Sequence, residues 1–257
     1  MKEKKNYQGI TLSIWLLVLI LWFAVTKIEL IPAVILPAPK EVVLTGIDII
    51  KHGYNNISFW SHLGVSFYRL ISATFFAIIL GIPLGLLSGY SQKVHAVIDS
   101  FVQFYRPIPP LAYYTLLVMW MGIGQASKIM LLFLAAFAPI YISCIAATNK
   151  INPNYILSAQ TLGANRKQIF KTIILPACLP EIFTGIRTAV GVSYTTLVAA
   201  EMVAATSGIG WMVIDASKYL KSNVMFFGII IMGLTGILID FGLQKLERKL
   251  VFWKGMD

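Results

Sequence analysis

Long apolar runs set the pattern of the chain, and polar residues gather in the segments between them. The first run, residues 9–26, has no charged residue and approaches the roughly 20 residues a helix needs to cross the hydrocarbon core of a bilayer. Similar runs occupy 63–90, 108–121, 127–147, 180–205 and 224–243. The pattern predicts an all-α membrane protein, a polytopic bundle of about six transmembrane helices, with residues 1–257 as a single domain. The first run follows Lys2, Lys4 and Lys5, as in a signal peptide. It contains Trp15 and Trp22, however, and ends at Lys27 with no small-x-small cleavage pattern, so it reads as a retained first span.

Glycine and proline punctuate the runs. Gly81, Gly85 and Gly89 recur at four-residue spacing, which lets helix backbones approach closely in lipid, and Pro83 between them predicts a kink. The stretch Tyr105-Arg106-Pro107-Ile108-Pro109-Pro110 cannot be regular helix throughout, because its prolines remove donors and fix the chain direction. Residues 91–100 and 206–223 read as polar connections, while 40–51 place Val43, Ile47 and Ile50 at helical spacing, as in a helix lying at the membrane surface. The longest polar interruption of the second half has strong helix punctuation. Asn152 and Pro153 open a short helix, Gly163 ends it, Asn165 caps a second helix over 166–175, and Pro176 closes that one. Such a short helix is not stable alone. Docking on a partner protein and packing on the ends of the chain's own spans are both open readings.

Composition agrees with a lipid environment. Of the 257 residues 58% are hydrophobic and 12% charged, about half the charged share of a soluble domain. The formal net charge of +10 would suggest nucleic acid as a partner for a soluble protein. Here the basic residues sit mainly between apolar runs and set orientation instead, so no nucleic-acid partner is expected. One side receives Lys2, Lys4, Lys5, Lys93, Arg106, Lys150, Arg166, Lys167, Lys171 and the basic tail from Lys245; the other receives Lys27, Lys40, Lys51, Lys128, Lys218 and Lys221. The richer side is expected to be cytoplasmic and to hold both termini. Cys144 and Cys178 read as small apolar filler, and His52, His62 and His95 show no metal-binding spacing. The chain has no G-x-x-x-x-G-K-[ST] phosphate loop, so by that route it binds no ATP itself.

Four charges fall within or at the ends of spans, where charge is costly and marks function or structure. Depth pairs Arg69 with Glu201 near the outer surface and Arg187 with Asp240 nearer the cytoplasm, either as interhelical ion pairs; Arg69 has snorkelling to the outer headgroups as its alternative. Ser193, Tyr194, Thr195 and Thr196 form a polar stretch in the fifth span and are candidates to line a water-filled pathway, with Glu201 as a gate contact.

The polar stretch after the fourth span resembles the signature loop of importer-type ABC permeases: E-A-A, three residues, G, nine residues, I-x-L-P. Ser158 and Ala159 stand at the small pair, Gly163 at the glycine, and Ile173, Leu175 and Pro176 at the close, while Leu157 stands at the usually acidic position. Tyr105 to Ala112, Trp120 to Gly124, Leu197 to Glu201 and the terminal Phe252-Trp253-Lys254-Gly255 resemble the taurine, alkanesulfonate and nitrate branch, the taurine permeases above all. The resemblance implies a bacterial plasma membrane (the inner membrane if Gram-negative), two permease copies forming the pathway, and a separate binding protein delivering substrate. It also implies separate ATPase subunits that bind the ATP and grip the loop carrying Ser158, Ala159, Gly163, Ala164, Arg166, Leu175 and Pro176. The expected function is a non-catalytic permease for taurine or a related sulfonate, without a cofactor of its own. A permease for nitrate and an ion-coupled transporter are the alternatives.

Overall fold

The structure, a computed structural model, describes residues 8–253; Lys2, Lys4, Lys5, Lys254 and Gly255 lie outside the described residues. The helices are α1 (Gln8–Lys27), α2 (Pro39–His52), α3 (Phe59–Tyr90), α4 (Gln92–Tyr105), α5 (Pro110–Met121), α6 (Gln125–Asn149), α7 (Pro153–Thr161), α8 (Arg166–Ile169), α9 (Leu175–Ala204), α10 (Ile209–Lys218) and α11 (Ser222–Leu250), with one π turn, Phe170–Ile174, joining α8 to α9. Among the described residues five helical stretches are long and apolar enough to cross a membrane. Helix α5 is not, since its 12 residues rise only about 18 Å against a hydrocarbon core of about 30 Å.

The sixth crossing exists all the same, in broken form. Helices α3 and α6 run parallel: Arg69 meets Gln125 near their first turns, and the Tyr141 hydroxyl donates to Ser88 near their last. The chain must therefore return across the bundle between them, and α4, the proline-rich turn and α5 together make that return. Helix α9 is antiparallel to α6, with the Ser193 hydroxyl donating to the carbonyl of Leu132 and Gly185 facing Ser143. Helix α11 is antiparallel to α9 through Tyr194 with Thr235 and Arg187 with Asp240. The far end of α1 meets the start of α11, where Trp22 stacks on Phe226 and donates to the carbonyl of Pro37. Directions thus alternate from α3 to α11, and Leu250 lies on the same side as α7.

The core lies between α3, α6 and α9. The small stripe of α3 packs on α6: a Cβ on Gly85 would come within 2.6 Å of the Cys144 Cβ and 2.8 Å of the Tyr141 carbonyl oxygen. Helix α3 runs through Pro83 without a break. Helix α1 stands apart, apolar and exposed along most of its length, as a lipid-facing span does.

Four expectations change. Residues 91–100 belong to helix α4, capped by Ser91, because Val94, Ile98 and Val102 recur at helical spacing. Within 206–223, α10 forms for the same reason and buries Ile209, Met212, Val213 and Ala216. The surface helix over 40–51 is present, but it buries Val42, Gly46 and Ile49 against Phe227 and leaves Val43, Ile47 and Ile50 exposed. Pro176 does not close the second helix of the polar loop. The π turn widens the backbone, the amide of Leu175 bonds the carbonyl of Phe170, and helix continues from Arg166 to Ala204.

Candidate functional site

The inner loop is built by its own caps. Asn152 accepts from the amide of Asn154 and Pro153 follows at the first helical position, starting α7. Gly163 ends it at φ 83°, with its amide bonded to Gln160 and that of Ala164 bonded to Ala159. This is the Schellman arrangement, which needs a left-handed residue and so favours glycine. A Cβ at 163 would meet nothing within 4 Å, so backbone rather than space makes the position special. Asn165 and Gln168 exchange side-chain and backbone bonds at 2.8 and 2.9 Å, a full capping box that starts α8. Ile156, Ala159, Ala164 and Leu175 pack on the core, whereas Tyr155, Leu157 and Leu162 stay exposed, Leu162 at 88%. Ser158 and Arg166 are exposed as well, and Pro176 lies in the first turn of α9. The loop therefore both packs on its own spans and leaves an apolar outer face.

At the opposite end, Arg69 and Glu201 meet at 2.6 Å, both almost fully buried. Glu201 also accepts from the Ser66 hydroxyl at 2.7 Å and the Gly210 amide at 2.9 Å. Arg69 donates further to Gln125 at 2.6 Å and to the carbonyl of Ser207 at 2.9 Å. Gly208, at φ 129°, lies so close to the Glu201 carboxylate that no Cβ fits, and its amide donates to His62. Such dense hydrogen bonding is what a buried ion pair requires. Outside the spans on this side, the Tyr54 hydroxyl donates to Asp215; burial and that carboxylate push the phenol above its ordinary value.

Arg187 meets Asp240 at 3.0 Å and Glu247 at 3.4 Å, in a partly exposed cluster between α9 and α11. The stretch from Ser193 to Thr196 does not act as one face, because each residue turns about 100° on a helix. Ser193 is buried against α6, Tyr194 bonds the Met232 carbonyl and Thr235, Thr196 is buried and bonds its own backbone, and only Thr195 is exposed. Glu201 is likewise enclosed and faces no open channel. Thr188, Val192 and Thr195 share the open face of α9 at helical spacing. Beside it lies a cavity of about 470 Å³, walled by the proline-rich turn, the start of α5, and α6 from Leu134 to Ser143.

Residues 81–252 match the family described as binding-protein-dependent transport system inner membrane component. The chain belongs to this family. It is 41% identical over 249 residues to the taurine transport system permease protein TauC of Escherichia coli, covering 96% of this chain and 90% of that one. It is 33% identical to the putative aliphatic sulfonates transport permease protein SsuC of Bacillus subtilis, over 92% of this chain and 84% of that one. The bicarbonate transport system permease protein CmpB of Synechococcus elongatus is 31% identical, over 77% of this chain and 71% of that one. The fold matches a chain of the MetNI methionine ABC transporter in an inward facing conformation, with a TM-score of 0.64 at 20% identity over 72% of this chain and 92% of that chain.

As a binding-protein-dependent transport component, the chain is a non-catalytic membrane permease, and ATP hydrolysis belongs to a separate subunit. Arg106 is the residue whose surroundings sequence reasoning did not foresee. Counting charges between apolar runs puts it on the cytoplasmic side, yet it lines the cavity beside the inner half of α6. The available signal was the run of prolines after it, which breaks the crossing where a single helix was expected.

Proposed function

We propose that this permease carries taurine or a related sulfonate into a bacterial cell, as a pair of identical copies, with both termini and the α7–α8 loop in the cytoplasm. The similarity to TauC, along nearly the whole of both chains, carries the substrate reading. The excess of basic residues on the α7 side supports the orientation. ATP is bound by a partner ATPase, and an extracytoplasmic binding protein delivers the substrate. The whole chain acts as one permease domain without a cofactor of its own.

The ATPase docks on the face that Tyr155, Leu157, Ser158 and Leu162 present, with Gly163, Ala164 and Arg166 shaping the turn. Leu157 makes this docking apolar where related loops carry an acidic residue. Because helix is continuous from Arg166 to Ala204, a displacement of the docked loop moves α9 with it, shifting the bundle between inward-open and outward-open states. The pathway follows the open face of α9, with Thr195 its contribution from the polar stretch. Ser193, Tyr194 and Thr196 fasten the helix to its neighbours, and Arg69 with Glu201 holds the outer end.

The test is ATP hydrolysis by the permease reconstituted in lipid with its ATPase, with binding protein and taurine added or withheld. Stimulation that requires both supports the reading; stimulation by nitrate or bicarbonate instead changes the cargo, and none at all removes the coupling argument. In the same assay Gly163→Arg is expected to insert and keep the bundle, since the position faces open space and the backbone strain is confined to the turn after α7, but to abolish stimulated hydrolysis and uptake. Normal uptake by that variant would refute docking at the loop.

A further inference from the structure

The cavity between the proline-rich turn, α6 and α9 holds a cation for which the described residues supply no counter-charge. Arg106 lines it together with Tyr105, Tyr113, Ser143 and Thr188, and no carboxylate is among the lining residues. Among the described residues no acidic group lies within ion-pair distance of Arg106. The depth is unusual for such a charge. Tyr105, its neighbour in the chain, donates to the carbonyl of Leu134 at 3.2 Å, and the wall continues along α6 to Ser143, all inside a 25-residue apolar helix. A guanidinium inside the bilayer is costly unless it has a partner or a water-filled space. The four charges read from the sequence as lying within or at the ends of spans, Arg69, Glu201, Arg187 and Asp240, are all paired. At about 470 Å³ the space is in the range of small-molecule sites, and it is lined by hydroxyls that can donate to oxyanions.

We infer that this cavity is a transit site for an organic sulfonate, with Arg106 receiving the anionic sulfonate group, also that of zwitterionic taurine, and with Thr188 and Ser143 on its walls. The inference rests on the importer reading above and adds a charge-selective site within the permease itself. A planar guanidinium suits a tetrahedral oxyanion, which it meets with two parallel N–H donors. The same chemistry would hold the phosphate of a lipid headgroup, so the source of the anion must be tested.

Thr188→Cys places a reporter thiol on the cavity wall, and the native Cys144 and Cys178 are fully buried and will not compete. The full chain with its ATPase is placed in nanodiscs, and labelling rates are measured with an anionic and a cationic methanethiosulfonate of similar size. The anionic reagent is expected to react faster, and adding Arg106→Gln should lower the anionic-to-cationic ratio by on the order of tenfold. Arg106→Lys keeps the charge and should keep the ratio, which separates charge from misfolding. Taurine at millimolar concentration should slow labelling only when position 106 is cationic. An unreactive Thr188→Cys, a ratio indifferent to Arg106→Gln, or protection that persists without the cation would each overturn the site. Labelling that follows the anionic lipid content of the nanodisc and ignores taurine would overturn it too, in favour of a lipid phosphate. If a charge-dependent ratio appears while ATP hydrolysis responds to a different anion, the site stands and the taurine reading alone falls.

Discussion

Replacing Glu201 by Gln tests whether the outer end of the bundle is held by charge or by shape. The substitution preserves size, so packing is nearly unchanged, and Gln still offers one oxygen. That oxygen can still accept from both Ser66 and Arg69, which share one carboxylate oxygen at 2.7 and 2.6 Å, but the second oxygen, which takes the Gly210 amide at 2.9 Å, is lost. The amide NH2 now faces the Gly210 amide, donor against donor. Arg69 keeps Gln125 and the Ser207 carbonyl, both neutral, and its charge is left uncompensated at 1% exposure. Removing one partner of a buried ion pair costs roughly 3–5 kcal/mol, because the remaining charge stays desolvated. The expected result is a stability loss in that range, read as the shift in the unfolding midpoint of the purified protein in mixed detergent micelles. The companion variant, Arg69→Met with Glu201→Leu, removes both charges and should lose less than the sum of the two single substitutions. A Glu201→Gln protein within about 1 kcal/mol of the native one, or a double variant that is simply additive, would refute the claim that charge pairing holds this end.

Two further substitutions address the core and the loop. Gly85→Val should prevent α3 from seating on α6, since even its Cβ would come within 2.6 Å of the Cys144 Cβ; the fraction of monodisperse protein by size-exclusion chromatography should collapse, and a normal profile would refute close packing there. Asn165→Ala removes the capping box of α8 and should cost about 1 kcal/mol locally, seen as faster hydrogen exchange at residues 165–170 with little change in the core of α6.

How much of this was legible depends on which physical signal each feature leaves in the chain. Spans such as α3 and α6 follow from apolar length alone, because lipid admits no unsatisfied backbone. The partners of Arg69 and Arg187 follow from depth, because each needs a carboxylate at its own level and the chain offers few. Gly163 was legible as a left-handed helix stop, and the structure places it at φ 83°. Features that depend on how two segments share one crossing were not legible. The return through α4 and α5 looks like a loop followed by a short span, so Arg106 was counted with the charges of the cytoplasmic side and its cavity was not foreseen. The hydroxyls of Ser193 to Thr196 looked like one polar patch because they are adjacent in sequence, yet helical rotation sends them to α6, to α11 and to the open face. Pro176 carries the ordinary signal of a helix end, and only the π turn before it lets the helix continue.

That continuity decides how the two ends of the permease communicate. Residues Arg166–Ala204 form one helical stretch of 39 residues, from the capped loop to within three residues of Ser207, whose carbonyl Arg69 holds. The restraints along it are unequal. Its outer end is fixed by the buried network of Glu201, Arg69 and Ser66, where breaking a single partner is costly. Its inner half is tied by Lys150 to Glu181 and by Arg187 to Asp240, pairs with side chains one-third to two-thirds exposed, and by Arg187 to the buried Glu247. Exposed pairs of this kind are worth about 0–1 kcal/mol each. A displacement at α8 would therefore be passed along a helix that is packed in the core through Cys178, Ile182, Ile186 and Ala189 and pinned by charge at Glu201, so its two ends would move as one body. The open face of that helix carries Thr184 and Thr188, and Thr188 is the residue that shares the cavity with Arg106, so a shift of the whole helix would reshape the cavity wall.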